Sequence, residues 1–217
     1  VTSGSGTVTV DKTAPSAPII NAITTPNNSA TPTITGTGVT GDVINLFSDI
    51  NQIGTVTVVA NAWSITTSTL SEGTQIIKAT STDPAGNVSA DSITQMIIID
   101  LTPPTMEIAS STVTTGTTTN DASIALTFTT SESTTDFAIG DIIVTNGTVS
   151  AFAGSDTTYT ATFTPIADGE CTIKVNAGSF TDAAGNNSIL SNTFIWTSDQ
   201  TPPTLSGVGI ASNNSVT

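Results

Sequence analysis

Hydrophobic and polar residues alternate along short segments of this chain, with the period of two that is typical of β-strands buried on one face. Over 124–128, Ile, Leu and Phe alternate with Ala and Thr, and over 159–163, Tyr, Ala and Phe alternate with Thr. No segment shows a sustained helical period, so the pattern predicts an all-β chain. The predicted strands cover 18–23, 32–36, 43–47, 54–60, 63–65, 74–80 and 92–99 in the first half of the chain, and 106–109, 122–129, 142–145, 148–152, 158–163, 171–175 and 192–196 in the second half.

Three sequence strings recur at one spacing of 99 residues, the distance from Asp83 to Asp182. Repetition at a constant spacing indicates successive copies of one structural unit. A weaker relative of the second string stands at 11–15. The recurring strings are Thr-Asp-Pro-Ala-Gly-Asn at 82–87 and Thr-Asp-Ala-Ala-Gly-Asn at 181–186, Asp-Leu-Thr-Pro-Pro-Thr at 100–105 and Asp-Gln-Thr-Pro-Pro-Thr at 199–204, and Gly-Asp at 41–42 and 140–141.

The proline-containing strings are natural boundaries, because proline donates no ladder hydrogen bond and holds the residue before it extended. Seven or so short strands per unit, spaced about 8 to 12 residues apart, indicate an Ig-like sandwich. We therefore predict tandem Ig-like β-sandwich domains arranged as a linear rod. Val1 is not expected to be a native start, since neither Met nor a signal segment stands there. The predicted organisation is the last strand of a preceding repeat in 1–11, with its strand at 8–10, one repeat in 12–100, a second in 101–199, and the start of a following repeat in 200–217, with its first strand at 205–210.

Composition agrees with a β-rich chain. About a fifth of the residues are Thr, and only 9% are charged. Thr is β-branched and suits pleated surfaces better than helix interiors. Disorder is the competing interpretation of a polar, acidic chain, but the 36% of hydrophobic residues can supply a core.

Charge and missing residue types exclude several functions. The formal net charge of −14 argues against nucleic acid and anionic membranes as partners. The longest strongly apolar run, 96–99, is far shorter than the ~18 residues of a membrane-spanning helix. Without His and with one Cys, the chain has no Ser-His-Asp or Cys-His nucleophile, zinc finger or internal disulfide, and we expect no enzyme. Cys171 is predicted to be a buried strand residue, with a reactive thiol as the alternative.

Aspartates are predicted to converge where consecutive repeats meet, because the loops at one end of an Ig sandwich lie beside the incoming chain. Clustered carboxylates without basic neighbours repel one another, and a hard divalent cation relieves this. Ca²⁺ fits best, since it accepts six to eight oxygen ligands, whereas zinc or copper would need His or Cys. The candidate ligands are Asp11, Asp42 and Asp83 before the first repeat, Asp100, Asp136, Asp141, Asp182 and Glu72 at the second junction, and Asp199 at the next one. Glu72 is expected to approach the second junction from the opposite end of the first repeat, and Asp168 is expected to approach Asp199 in the same way.

A purely structural alternative exists for the loop aspartates. Asp83 and Asp182 precede Ala-Gly-Asn, where an Asp can bond backbone N–H groups and Gly can take a positive φ without any ion. Asp100 and Asp199 show no evident turn role in the sequence, which favours a ligand role for them. The remaining interpretations are solvated surface charges for Asp49, Asp91, Asp121 and Asp156, and core or junction packing for Trp63 and Trp196.

The chain resembles the bacterial Ig-like repeats of giant surface adhesins secreted by Gram-negative bacteria. The first repeat carries LSEGT at 70–74 and ATSTDPAGN at 79–87, and the second carries GDIIVTNG at 140–147 and YTATFTP at 159–165. The resemblance implies an extender on the bacterial cell surface, used in biofilm or host attachment. Such repeats are often stiffened by Ca²⁺ at their junctions, while a separate terminal module binds the target. The alternatives are a module that binds glycan, protein or ice, and an accessory segment of a carbohydrate-active enzyme.

Overall fold

The computed structural model describes residues 10–207. These residues form strands and loops, with one 3₁₀ turn at Ile139–Asp141. The chain divides into two compact units. Of the described residues, the first unit comprises 10–103 together with 181–186, and the second comprises 104–180 together with 187–207. The predicted all-β class is confirmed. Within 10–207, no helix is long and apolar enough to cross a bilayer.

The residues of the first unit that the structure describes form seven strands in two antiparallel sheets. The smaller sheet has the order β1-β2-β5 and the larger has the order β4-β3-β6-β7. Three plus four strands is the arrangement of an Ig-like sandwich. The strands are β1 (Ile19–Ile20), β2 (Thr33–Thr37), β3 (Val43–Ser48), β4 (Asn51–Thr57), β5 (Ala62–Thr66), β6 (Gly73–Thr82) and β7 (Gln95–Ile99).

The core of the first unit lies between its two sheets. Ile34 of the smaller sheet and Leu46 and Ile97 of the larger sheet are buried in one cluster. Trp63 belongs to the same cluster, as predicted, and its ring lies against Gly36, where a Cβ would stand 2.3 Å from Cζ2 of the indole. The alternation of β2 and β3 in the sequence thus reflects one face turned toward this core.

Up to residue 207, where the described part of the chain ends, the second unit also has seven strands. Its smaller sheet has the order β12-β10-β8, and its larger sheet has the order β11-β13-β14-β9. The short β9 runs parallel to β14, and the other pairs are antiparallel. The strands are β8 (Met106–Ser110), β9 (Thr118–Thr119), β10 (Ile124–Thr134), β11 (Ile142–Thr145), β12 (Gly147–Pro165), β13 (Gly169–Val175) and β14 (Phe194–Ser198).

Aromatic rings fill much of the second core. Phe163 and Trp196 meet edge to face with their centroids 4.6 Å apart, so the predicted core position of Trp196 is confirmed. Cys171 is fully buried on β13, as expected, and burial raises the pKa of its thiol. A buried thiol with a raised pKa is a poor nucleophile, which removes the basis for the reactive-thiol alternative.

Several strands differ from their predicted bounds. The strands predicted at 148–152 and 158–163 join into the 19-residue β12, and the predicted 18–23 shortens to β1. The two units also differ in topology, because the fourth strand of the larger sheet is β4, beside β3, in the first and β9, beside β14, in the second. Residues 205–207 are not in a strand, while 8–9 and 208–210 lie outside the described residues.

Candidate functional site

Asp182 organises the loop 181–186. Its Oδ1 accepts the backbone N–H groups of Ala184, Gly185 and Asn186 at 2.8, 2.8 and 2.9 Å. The side chain is buried, and Gly185 takes a φ of +90°, which only glycine adopts readily. These are the bonds that the structural-turn interpretation requires.

The loop 83–87 has the same construction in the first repeat. Asp83 Oδ1 accepts the backbone N–H of Asn87 at 2.8 Å, and Gly86 takes a φ of +88°. The hydrogen bond from the Asn87 side chain, with further backbone N–H groups, lowers the pKa of Asp83, against an opposing effect of desolvation. The carboxylate is therefore stabilised in its charged form by the turn itself.

An asparagine amide joins each loop to the boundary aspartate that precedes its repeat. Asn186 Nδ2 donates to Asp182 Oδ2 and to the backbone carbonyl of Asp100, both at 2.9 Å. The Gly185 carbonyl accepts the side-chain amide of Asn28 at 2.9 Å. The loop 181–186, which is part of the first compact unit, thus has polar contacts with two other segments of that unit.

Asn87 makes the equivalent pair of contacts 99 residues earlier. Its Nδ2 donates to Asp83 Oδ2 at 2.8 Å and to the Asp11 carbonyl at 3.4 Å. The longer second bond makes this the weaker of the two links. Sequence reasoning selected the aspartates and missed both asparagines, although the Asn that closes each repeated string was the available signal.

The boundary aspartates have a turn role that the sequence did not reveal. Each accepts the backbone N–H of the threonine two residues later, as in an Asx turn. The expectation that Asp100 and Asp199 lack a turn role is therefore wrong, because the following Thr-Pro segment folds back onto the carboxylate. The bonds run from Thr13 to Asp11 at 2.9 Å, from Thr102 to Asp100 at 3.1 Å and from Thr201 to Asp199 at 3.3 Å.

Acidic side chains also hold the segment that leaves each repeat. Glu72 Oε1 accepts the hydroxyl of Thr102 at 2.5 Å. Asp168 accepts the Gln200 N–H at 2.6 Å and the Thr201 hydroxyl. The pKa of Asp168 is lowered mainly by the hydrogen bond from the Thr201 hydroxyl, and next by the hydrogen bond from the Gln200 N–H. In both repeats, an acid binds the threonine of Thr-Pro-Pro.

The candidates before the first repeat do not form a compact group. Asp42 is buried, and its Oδ2 accepts the Ser81 hydroxyl at 2.9 Å. In residues 10–207, Asp11, Asp42 and Asp83 do not bring three ligand atoms within 4.8 Å of one another. A buried carboxylate bonded to a hydroxyl is a stabilising arrangement that needs no ion.

Asp136 and Asp141 support turns of the second unit. Asp136 is exposed, and its Oδ1 accepts the Thr134 hydroxyl at 2.7 Å. Asp141 Oδ2 accepts the backbone N–H of Ala138 at 2.8 Å, at the start of the 3₁₀ turn. Each of these two carboxylates thus accepts a hydrogen bond from a residue of its own loop.

Asp100 and Asp182 are predicted ligands that the structure brings together. One carboxylate oxygen of each lies within 4.8 Å of the other. Asp182 Oδ1 already accepts three N–H groups, so its Oδ2, with one, has the remaining capacity for a ligand bond. Carboxylate oxygens at this separation are ligands of the kind that a hard cation prefers.

Comparisons with solved structures return proteins of low sequence identity. The fibronectin(III)-like modules of Clostridium thermocellum CbhA are 16% identical over 83% of this chain and 93% of theirs, with a TM-score of 0.38. The BSP domain of a biofilm-associated protein is 22% identical over 86% of this chain and 30% of its own (TM-score 0.29). Invasin, a bacterial integrin-binding protein, is 14% identical over 86% and 40% (TM-score 0.32). This chain therefore spans less than half of the last two.

Comparison with curated protein sequences finds no significant match. Two family models do match, both described as a bacterial Ig-like domain, at residues 20–101 and at residues 100–205. The matched segments coincide with the strands of the two sandwiches, β1 to β7 and β8 to β14. The predicted resemblance is confirmed. Because the two matches together cover most of the chain, the protein belongs to the bacterial Ig-like domain family.

Proposed function

We propose that this chain is an extender segment of a bacterial cell-surface adhesin, in which tandem Ig-like domains hold a distal adhesive module away from the cell. Membership of the bacterial Ig-like family supports an extracellular, non-catalytic role. The observation that carries the proposal is the recurrence of the same boundary contacts in both repeats, from Asn87 to Asp11 and from Asn186 to Asp100. A contact that recurs at domain boundaries serves the connection between domains.

The boundary contacts restrict the segments that connect repeats. The carbonyl of Asp100 is bound by Asn186, and two residues later Thr102 is bound by Glu72. Pro103 and Pro104 follow, and each proline fixes its own φ and limits the residue before it. A short connector that is held at several points has little conformational entropy left to lose when the array is extended. A stiff connector of this kind suits a spacer.

We propose further that Ca²⁺ binds at Asp100 and Asp182 and rigidifies the junction. The proximity of the two carboxylates supports this, as does the scarcity of basic side chains. Of the three Lys residues, Lys78 pairs with Asp91 at 2.8 Å. A bound cation would relieve the repulsion between the two carboxylates and add stability in proportion to the logarithm of its concentration above Kd.

Small-angle X-ray scattering of the whole chain tests the extender role. The double variant Asn87→Ala, Asn186→Ala should give a broader distribution of interatomic distances than the natural chain. The matched control carries Asn176→Ala and Asn187→Ala, two exposed asparagines outside the boundary contacts. Identical curves for all three proteins would remove the boundary contacts as the basis of the proposal.

A further inference from the structure

The second unit contains a surface cleft apart from the boundary contacts. Its volume is about 450 Å³, which is within the range of small-molecule sites. It opens beside the long strand β12 and the end of β10. The lining residues are Ser133, Thr134, Thr135, Phe137, Phe152, Gly154, Ser155, Asp156 and Tyr159.

Three aromatic rings form one wall of the cleft. Phe137 packs edge to face on Tyr159, with centroids 5.1 Å apart, and on Phe152 at 5.5 Å. Phe152 and Tyr159 lie nearly parallel at 15° and 5.7 Å. Phe137 and Tyr159 are buried in the core, whereas Phe152 is only half-buried. The buried pair therefore holds a partly exposed ring at the cleft surface.

The lining of the cleft also contains a carboxylate, that of Asp156, on a residue with an unusual backbone conformation. Asp156 is exposed, takes a φ of 65° and accepts the hydroxyl of Ser133. Two further residues of the same strand have positive φ, Ala151 at 51° and Gly154 at 132°. At Gly154 a Cβ would stand 2.4 Å from the Thr158 carbonyl oxygen, so only glycine fits. Left-handed backbone at non-glycine residues is costly and concentrates at functional sites.

The charged group in the lining of the cleft is negative. The lining contains one carboxylate and no Lys or Arg. Burial raises the pKa of the Tyr159 hydroxyl, and the negative charges of Asp156 and Asp136 raise it further, so both carboxylates act on this region. The whole chain adds a net charge of −14. Negative charge attracts cations and repels anionic ligands.

We propose that this cleft binds an organic cation bearing an alkylammonium group. The partly exposed ring of Phe152 offers its surface to the alkyl carbons, and Asp156 offers the compensating charge. An ammonium group close to aromatic rings gains cation–π attraction, which neutral ligands lack. A neutral sugar would use the ring and the hydroxyl groups but would gain nothing from the negative charge. The site is independent of the boundary contacts, and its occupancy does not depend on the extender role.

Choline is the probe for the test, and 3,3-dimethylbutan-1-ol, its uncharged isostere, is the control ligand. Titration of the isotope-labelled chain at constant ionic strength, followed by amide chemical shifts, should show saturable changes at 133–137 and 152–159 with choline. The neutral alcohol and glucose should produce none. Equal responses to choline and the alcohol, saturable binding of glucose, or the absence of saturable changes with choline would each overturn the proposal.

Two variants assign the contributions of charge and ring. Asp156→Asn keeps a residue that tolerates positive φ but removes the charge, and Phe152→Leu keeps an apolar side chain but removes the ring. Each should weaken choline binding roughly two- to fivefold, the loss expected for a partly exposed cation–π or ionic contact. Asp121→Asn, at another exposed aspartate of the same unit, makes the same change in net charge and should leave affinity unaltered. Unchanged binding in both cleft variants, or an equal loss in Asp121→Asn, would contradict the assignment.

Discussion

The side-chain amide of Asn186 donates a 2.9 Å hydrogen bond to the backbone carbonyl of Asp100, 86 residues earlier in the chain. The same amide also binds Asp182 Oδ2, so one side chain connects the loop aspartate and the boundary aspartate. A neutral side-chain amide therefore binds at the boundary of the repeat, beside the charged carboxylate groups. It also determines which substitutions should matter.

Asn186→Ala should destabilise the protein by about 1–3 kcal/mol, because it removes the side-chain amide that donates to Oδ2 of the buried Asp182 and to the Asp100 carbonyl. Urea unfolding followed by circular dichroism measures the change. Asn187→Ala, at the exposed neighbouring residue, should change stability by less than about 0.5 kcal/mol. Equal effects of the two substitutions would show that the Asn186 amide contributes nothing specific.

Thr201→Val should raise the pKa of Asp168 toward its ordinary value of 3.8, since the Thr201 hydroxyl is the main cause of the lowered pKa. The carboxyl group of Asp168 is followed by NMR across an acid titration. Because the folded-state pKa lies below the unfolded value, the Asp168 contacts stabilise the fold above pH ~3.8 and lose that effect as pH falls through the folded pKa. An unchanged titration in Thr201→Val would assign the shift to another group.

Calcium should raise the melting temperature of the natural chain, and the increase should be smaller in Asp100→Asn. At a calcium concentration 100 times Kd, the linkage predicts about 2.7 kcal/mol of added stability. Calorimetry with Ca²⁺, Mg²⁺ and a chelator measures the effect, and Asp121→Asn is the control for net charge. If Ca²⁺ has no effect on the natural chain, the calcium proposal fails while the extender role stands on the scattering result.

Gly147→Ala should destabilise the second unit by about 1–3 kcal/mol or more, because the added Cβ would stand 2.0 Å from Cζ of the fully buried Phe163. Thermal unfolding measures the loss. At Gly140 a Cβ meets nothing within 4 Å, so Gly140→Ala is the matched control and should be close to neutral. A similar loss of stability in both variants would mean that the Phe163 ring moves away from the added methyl group without a cost in free energy.

Local pattern was enough to predict the sandwich fold and its repetition. The alternation of 124–128 appears in the structure as the inward face of β10, and the 99-residue spacing places the same loop at 83–87 and at 181–186. These features depend on residues two to six positions apart, or on simple recurrence. Information of that range is fully present in a linear sequence.

Partner choice over long distances was not visible in the sequence. The amide of Asn186 and the carbonyl of Asp100 form a hydrogen bond only when the chain folds. Neither local sequence indicates which residue the other partner is. The same holds for Asp42, which a sequence pattern assigns to a junction but which folding buries against Ser81. The sequence identifies Asp42 as a charged group that can accept a bond, whereas the residues around it in the folded chain determine its partner.

The sequence by itself determined the all-β class and the tandem repetition, because strand period and turn chemistry are local properties. Tertiary structure alone decided the joining of two predicted strands into β12, the parallel pairing of β9 with β14, and the placement of Asp156 and Phe152 in the lining of one cleft. Those features arise from sheet pairing and ring packing between residues distant in sequence, whose energies exist only once the core has formed.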